Sequence, residues 1–134
     1  NLSELTIPLG RRFRALKIWF LLRAEGLEKL RKMIQNHIKW SQNLFEKLEN
    51  LRGVEIITPP ILSLFTFRFI NEKKHNLNEL NEKILKEIND EGIIYLTQAK
   101  IDNKYVIRFV TGTYDSIEND VEKAYEIIKK KTII

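Results

Sequence analysis

The sequence contains no cysteine, and its 134 residues include only two histidines, one methionine and three prolines. The missing cysteine excludes a disulfide scaffold, thiolate zinc sites and thiol chemistry. A long apolar run is also missing. The longest one, Ala15 to Ala24, is interrupted by Lys17 and Arg23 and is far too short to span a bilayer. No secretory-signal pattern stands at the start, so no membrane partner is expected and a cytoplasmic location is the default expectation. Equally absent are a glycine-rich phosphate loop, a GxSxG elbow, an HExxH pair and any set of residues at zinc-ligand spacing. Carboxylates are plentiful, but they fall at solvated helix-face spacing and nothing pairs two of them for acid–base work. No catalytic residue and no metal ligand is assigned in this chain.

What is present is typical of a packed domain: 43% hydrophobic and 31% charged residues. The net charge of +5 is uneven, with 11 Lys/Arg against 5 Asp/Glu in residues 1–52 and 12 against 13 in residues 53–134. The basic half has acids interspersed along its helices and no basic cluster of five or more, which reads as a solvated face rather than a nucleic-acid surface.

The pattern predicts two helices followed by β-β-α-β-β-α. Arg11–Arg23 is apolar nearly all round, with Phe13, Leu16 and Phe20 in one row, and such a helix is expected to be buried. Its apolar faces exceed what this stretch of chain can cover. Gly26 is a natural helix end. Leu27 to about Leu51 carries the strongest 3.6-residue period (Leu27, Leu30, Ile34, Ile38, Ser41, Phe45, Leu48). At 1.5 Å per residue it is roughly 35 Å long, long enough to bridge two parts of a larger body or to form a dimer surface. Met33, His37 and Trp40 lie beside the stripe and read as packing residues, since His37 has no second ligand at helical spacing.

Val54–Thr58 reads as a strand closed by Pro59-Pro60. Ile61–Ile70 is a second strand with a phenylalanine face turned to the core. Asn71–Asn76, containing His75, reads as a surface loop. Leu77–Glu91 is an amphipathic helix with Asn76 and Glu79 as a capping pair. Ile93–Ala99 and Lys104–Thr111 read as strands joined at Asp102-Asn103, residues that tolerate the left-handed turn conformation. Asp115 or Ser116 starts the last helix, which ends on Lys129–Lys131, cations suited to a helix C-terminus.

The opening of the chain breaks a local rule. Ile7-Pro8-Leu9 ends at Gly10, and three arginines, Arg11, Arg12 and Arg14, fall in the first turns of the next helix, where the positive end of the helix dipole disfavours them. Ion pairs with carboxylates of a neighbouring segment are the expected reason. The chain opens on Asn1 with an extended apolar segment and no upstream element to pair with, so it is expected to continue a longer polypeptide.

The run Ile7-Pro8-Leu9-Gly10-Arg11-Arg12-Phe13-Arg14-Ala15-Leu16-Lys17-Ile18-Trp19-Phe20 resembles the signature of the group II pyridoxal-phosphate-dependent decarboxylases, most closely those acting on aromatic L-amino acids. The likeness continues through the long helix, Leu64–Arg68 (Leu-Phe-Thr-Phe-Arg), Asp102–Phe109 (Asp-Asn-Lys-Tyr-Val-Ile-Arg-Phe) and the closing helix, essentially the whole chain. One departure concerns the substrate region: members commonly carry Trp-Gln directly before the Ile-Pro, where this chain has Leu5 and Thr6.

The resemblance implies an α+β fold, the C-terminal part of a fold-type I enzyme that uses pyridoxal 5′-phosphate. Residues 1–52 would be the end of the large domain plus a connecting helix, and residues 53–134 a small C-terminal domain with an antiparallel sheet and helices on one face. It implies a homodimer that decarboxylates an aromatic amino acid (DOPA, tryptophan or tyrosine) to the amine and carbon dioxide. The cofactor, an electron sink for the reaction, would be bound upstream, and no lysine here sits in the cofactor-lysine context. Leu9 and Gly10 would reach the substrate pocket of the partner subunit. Relatives that handle polar rings tend to have serine where Gly10 stands, so Gly10 points to a catechol or indole ring. A backbone requirement at the helix start is the plainer explanation of that glycine. An aldehyde synthase on the same fold, and a non-catalytic dimerisation or nucleic-acid-binding module, are the competing readings.

Overall fold

A computed structural model describes residues 13–71 and 75–132. The element order is α1 (Ala15–Glu25), α2 (Leu27–Glu49), β1 (Val54–Ile61), β2 (Leu64–Phe69), α3 (Leu77–Asp90), β3 (Thr97–Ile101), β4 (Lys104–Val110) and α4 (Glu118–Lys131). The chain forms two compact units, Asn1–Lys32 and Met33–Ile134. The division falls inside α2.

In the second unit four strands form one sheet in the order β1-β2-β4-β3, with every neighbouring pair antiparallel. Alternation puts Phe65, Phe67 and Phe69 of β2 on the same face as Ile107 and Phe109 of β4. On that face they join Leu44 and Leu48 of α2, Ile84, Leu85 and Ile88 of α3, and Val121, Ala124, Ile127 and Ile128 of α4 in one buried cluster. Phe65 centres its aromatic part, with ring centroids 5.9 Å from Phe45, 6.1 Å from Phe67 and 5.3 Å from Phe109. This is the expected small α+β layer.

The hairpin between β3 and β4 turns on Asp102 and Asn103, both left-handed at φ 48° and 62°, the geometry of a two-residue turn whose twist suits the strands. Gly53, at φ 92°, closes the passage from α2 into β1. A Cβ there would stand 3.2 Å from Thr132 Cβ, and the Gly53 carbonyl accepts the Ile70 N–H at 2.9 Å.

The second strand is shorter than expected, starting at Leu64 instead of Ile61, which belongs to β1, and three further expectations need correcting. First, β1 does not stop at Thr58; it continues through Pro59 and Pro60 to Ile61. It is an edge strand, and both prolines fall in a register shift between the pairs Thr58–Thr66 and Ile61–Leu64, where no ladder N–H is demanded. Second, Ile93–Leu96 is not strand. Asn89 holds that loop instead, donating to the Leu96 carbonyl at 3.0 Å and accepting the Leu96 N–H at 2.9 Å. Third, α4 starts at Glu118, because Ser116 is spent in a turn on Thr113. Asp120 then accepts the Ile117 N–H at 3.2 Å, a cap from inside the helix. By contrast Asn76 caps α3 as expected, accepting the N–H groups of Asn78 and Glu79.

Candidate functional site

The residues the sequence nominates for substrate binding, Leu9 and Gly10, lie outside the described residues, as do Arg11 and Arg12. The described structure begins at Phe13. Arg14 stands at the N-cap of α1 with helical φ and ψ and no side-chain capping bond. Among the described residues it has no ion pair, so the expected carboxylate partner is not found there.

The α1 helix itself departs from its expectation. An all-round apolar pattern predicts burial, yet α1 has no buried residue. Trp19 is 54% exposed and Phe20 57%, their rings edge-to-face at 5.1 Å. The Arg23 guanidinium lies 5.8 Å from the Trp19 ring centroid. Gly26, at φ 76°, ends the helix with its N–H on the Leu22 carbonyl at 3.0 Å, as the sequence indicates. Phe13, Ile18, Trp19 and Phe20 all stand more than half exposed, so an apolar pattern all round does not by itself bury the helix.

On α2, His37 is buried and its ring centroid lies 5.7 Å from that of Trp40, the packing role read from its position. One turn on, Ser41 is fully buried. Neither His37 Nε2 nor Ser41 Oγ has a hydrogen-bond partner among the described residues, and Thr111 Oγ1 is in the same state. His75 is exposed. No group of three or more His, Asp or Glu among the described residues could hold a metal ion, and no described helix is long and apolar enough to cross a membrane.

A groove of about 510 Å³ runs along α2 and α4, lined by Asn43, Glu46, Lys47, Asn50, Leu51 and Tyr125. Its one lysine is engaged: Lys47 Nζ is 2.6 Å from Glu122 and 5.3 Å from the Tyr125 ring centroid. No described lysine is buried. Lys131 is the most enclosed of those in ion pairs, with 15% of its side chain exposed, and it lies 2.9 Å from Glu91 and 3.1 Å from Glu87. The hydrogen bond to Glu91 first, then the charges around it, raise the Lys131 pKa against an opposing effect of burial. An amine that carries an aldehyde cofactor needs the reverse, a depressed pKa in a desolvated pocket. Lys131, held as a charged ammonium by these ion pairs, therefore does not fit as the holder of such a cofactor.

Sequence reasoning missed the asparagines of α3. Asn81 is fully buried. It accepts the Phe69 N–H at 2.7 Å and donates to the carbonyls of Phe69 and Leu77 at 2.9 and 2.8 Å. Asn78 donates to the Asn103 carbonyl at 3.0 Å and accepts the Tyr105 N–H at 2.8 Å. With Asn89 on Leu96, three amides of one helix each clasp a backbone N–H and C=O beyond it. The available signal was Asn81 on the apolar face, four residues after Leu77 and three before Ile84.

The chain belongs to the pyridoxal-dependent decarboxylase family: the family model described as "Pyridoxal-dependent decarboxylase conserved domain" matches residues 1–70. It is similar to "Tyrosine decarboxylase 2" of Narcissus pseudonarcissus, 35% identical over 136 residues, covering 100% of this chain and 27% of that protein. It is also similar to "Phenylacetaldehyde synthase" of Arabidopsis thaliana, 34% identical over 93% of this chain and 26% of that protein. Among solved structures it matches "Oryza sativa TDC with PLP and tryptamine" with a TM-score of 0.86 and 26% identity, covering 99% of this chain and 29% of that one. The chain thus spans between a quarter and three-tenths of the length of these relatives.

Proposed function

We propose that this chain is one section of a pyridoxal-phosphate-dependent decarboxylase that takes an aromatic L-amino acid to its amine and carbon dioxide. The observation that carries the reading is the run Ile7 to Phe20, which opens a 35% identity along the whole chain to a tyrosine decarboxylase. In this reading residues 1–52 close the large domain and supply the connecting helix, and residues 53–134 are the small C-terminal domain. The enzyme is a cytoplasmic homodimer whose cofactor is held by residues outside this chain. Leu9 and Gly10 border the substrate ring in the partner subunit's pocket, and Gly10, without a side chain, leaves depth for that ring.

The test joins the chain to its native upstream sequence and follows L-DOPA, tryptophan and tyrosine with cofactor bound. Amine and carbon dioxide are expected, and cofactor binding without amine would overturn the reading. A second product class has specific support in the likeness to phenylacetaldehyde synthase: an aldehyde in place of the amine would assign the chain to that branch. Gly10→Ser is expected to shift the ratio of kcat/KM values among the three substrates toward the ring with the more polar substituent. An unchanged ratio would leave Gly10 a backbone device. The scattered charges of the basic half give no support to a nucleic-acid module.

A further inference from the structure

Five polar side chains are buried among the described residues: His37, Ser41, Thr66, Asn81 and Thr111. Two of them are satisfied inside the domain. Thr66 shares a hydrogen bond of 2.8 Å with Thr58, and Asn81 holds the backbone of Phe69 and Leu77. The other three are not. His37 Nε2, Ser41 Oγ and Thr111 Oγ1 are buried and have no hydrogen-bond partner among the described residues. His37 is 5% exposed, Thr111 4% and Ser41 0%. A desolvated polar group left unpaired is costly, and native domains hold few of them.

The topology brings these three to one end of the helix-covered face of the sheet. Phe65, near the start of β2, meets Phe45 of α2 at 5.9 Å and Phe109 of β4 at 5.3 Å between ring centroids. From that shared point both elements continue the same way. The α2 helix leads into β1 beside Phe69, since Val54 pairs with Phe69 and the Gly53 carbonyl accepts the Ile70 N–H. Its residues before Phe45 therefore lie beyond the Phe65 end of β2. Strand β4 runs antiparallel to β2 with Val110 opposite Leu64, so Thr111 lies beyond the same end, its N–H on the Ser63 carbonyl at 3.3 Å. Ser41 stands four residues before Phe45, about 6 Å along the helix axis, with His37 one turn further. Thr111 stands two residues after Phe109, about 7 Å along the strand and on the same face.

We infer that His37 Nε2, Ser41 Oγ and Thr111 Oγ1 together bind one internal water molecule, which ties α2 to the end of β4. A buried water typically makes about three hydrogen bonds to polar groups that lack other partners, and three such atoms are on offer. Two of them belong to neutral hydroxyls, which both donate and accept. A water does the same, so it serves His37 whichever ring nitrogen carries the proton. Size agrees as well. Ser41 occupies a stripe position that Leu44 and Leu48 continue, and its shorter side chain leaves depth for a water of about 30 Å³. None of the three residues has a part in the decarboxylase reading, so the site stands or falls without it.

The test uses the intact enzyme, with its native upstream sequence and cofactor bound. A crystal structure that resolves ordered water is expected to show one water about 2.7–3.2 Å from each of the three atoms. No water there, or a protein side chain bonded to these atoms instead, would overturn the site. Hydrogen exchange gives the reading in solution. Thr111→Val keeps the shape of the side chain and removes one anchor of the water. Amides of residues 37–48 on α2 are expected to exchange about fivefold faster in this variant, the loss of one net hydrogen bond felt across from β4. Ser41→Ala is expected to speed exchange of the Thr111 N–H by a similar factor, because the same water is lost from the other side. If the Thr111 hydroxyl were simply unpaired, Thr111→Val would relieve a burial cost, and exchange in α2 would be unchanged or slower. That result, or effects confined to the substituted element, would overturn the shared water.

Discussion

The α1 helix and the β2 strand are about equally apolar in sequence and opposite in fate. In α1, Trp19, Phe20 and Ile18 stand more than half exposed, whereas Phe65, Phe67 and Phe69 of β2 are at most 2% exposed. The difference is not in the side chains. Phe65, Phe67 and Phe69 share one buried cluster with residues of α2, α3, α4 and β4, whereas no residue of α1 is buried. Hydrophobicity states what a segment requires; only a partner surface decides whether the requirement is met. Exposed aromatic surface on this scale marks an interaction site, which is why a small domain that is complete in its core still reads as a piece of something larger.

The sharpest way to break this comparison is to truncate one ring on each side. Phe67→Ala should cost about 3–5 kcal/mol, the transfer of a buried ring plus the cavity it leaves, a large part of the stability of an ordinary domain. Phe20→Ala should change the stability of the same chain by about 0.5 kcal/mol or less, as surface substitutions do. Urea unfolding of the two variants measures both. Similar losses in the two would mean that α1 is packed after all and the comparison fails.

A smaller effect separates apolar from polar support in the folded unit. Asn81→Leu keeps the bulk of the side chain and removes three hydrogen bonds, leaving the Phe69 N–H and C=O without the partner that now serves both. The expected cost is about 2–4 kcal/mol, the penalty for buried groups left unpaired. Asn78→Ala, at an exposed position, should cost about 1 kcal/mol. If the two variants melted alike, burial would not be what gives the Asn81 clasp its weight.

Much of the second unit was legible in the sequence because its signals are local and mutually consistent. Period-2 alternation marks β2, period-3.6 marks α2 and α3, Asn76 marks a cap, and Asp102-Asn103 marks a turn. The misreadings arise where a tertiary fact outweighs a local one. Pro59 and Pro60 stop a central strand but not an edge strand, and edge position is unknowable until the sheet order is known. Ile93–Leu96 looks like strand by composition, yet Asn89 claims its backbone. Burial of α1 was misjudged for a related reason, since a pattern cannot say whether the covering surface belongs to the same stretch of chain. The proposed site residues Leu9 and Gly10 were reached through family resemblance, not physics. A leucine and a glycine before a helix carry no chemistry that spacing alone would single out.

The smallest effect, and the one with a pH signature, concerns how α4 is fastened to α3. Lys131 lies between Glu91 and Glu87, and the hydrogen bond to Glu91 leads the effects that raise its pKa. A lysine whose folded pKa is raised contributes stability that is complete below its unfolded value, about 10.4, and is lost as the pH rises through the folded value. Tyr105 adds to the same window. Burial first, then the charge of Glu82, raises its phenol pKa, so the folded state keeps a proton that the unfolded chain releases above about pH 10. Stability should accordingly hold from pH 7 to 9 and fall above pH 10. Lys131→Met should remove about 1 kcal/mol at neutral pH, the scale of a partly exposed ion pair. It should also make the alkaline decline shallower without abolishing it, because the Tyr105 contribution remains. Urea midpoints at intervals from pH 7 to 11 would show the two curves converging. Curves that stayed parallel across that range would mean that Lys131 does not link the two helices electrostatically, and that apolar contacts of α3 and α4 with the sheet hold them alone.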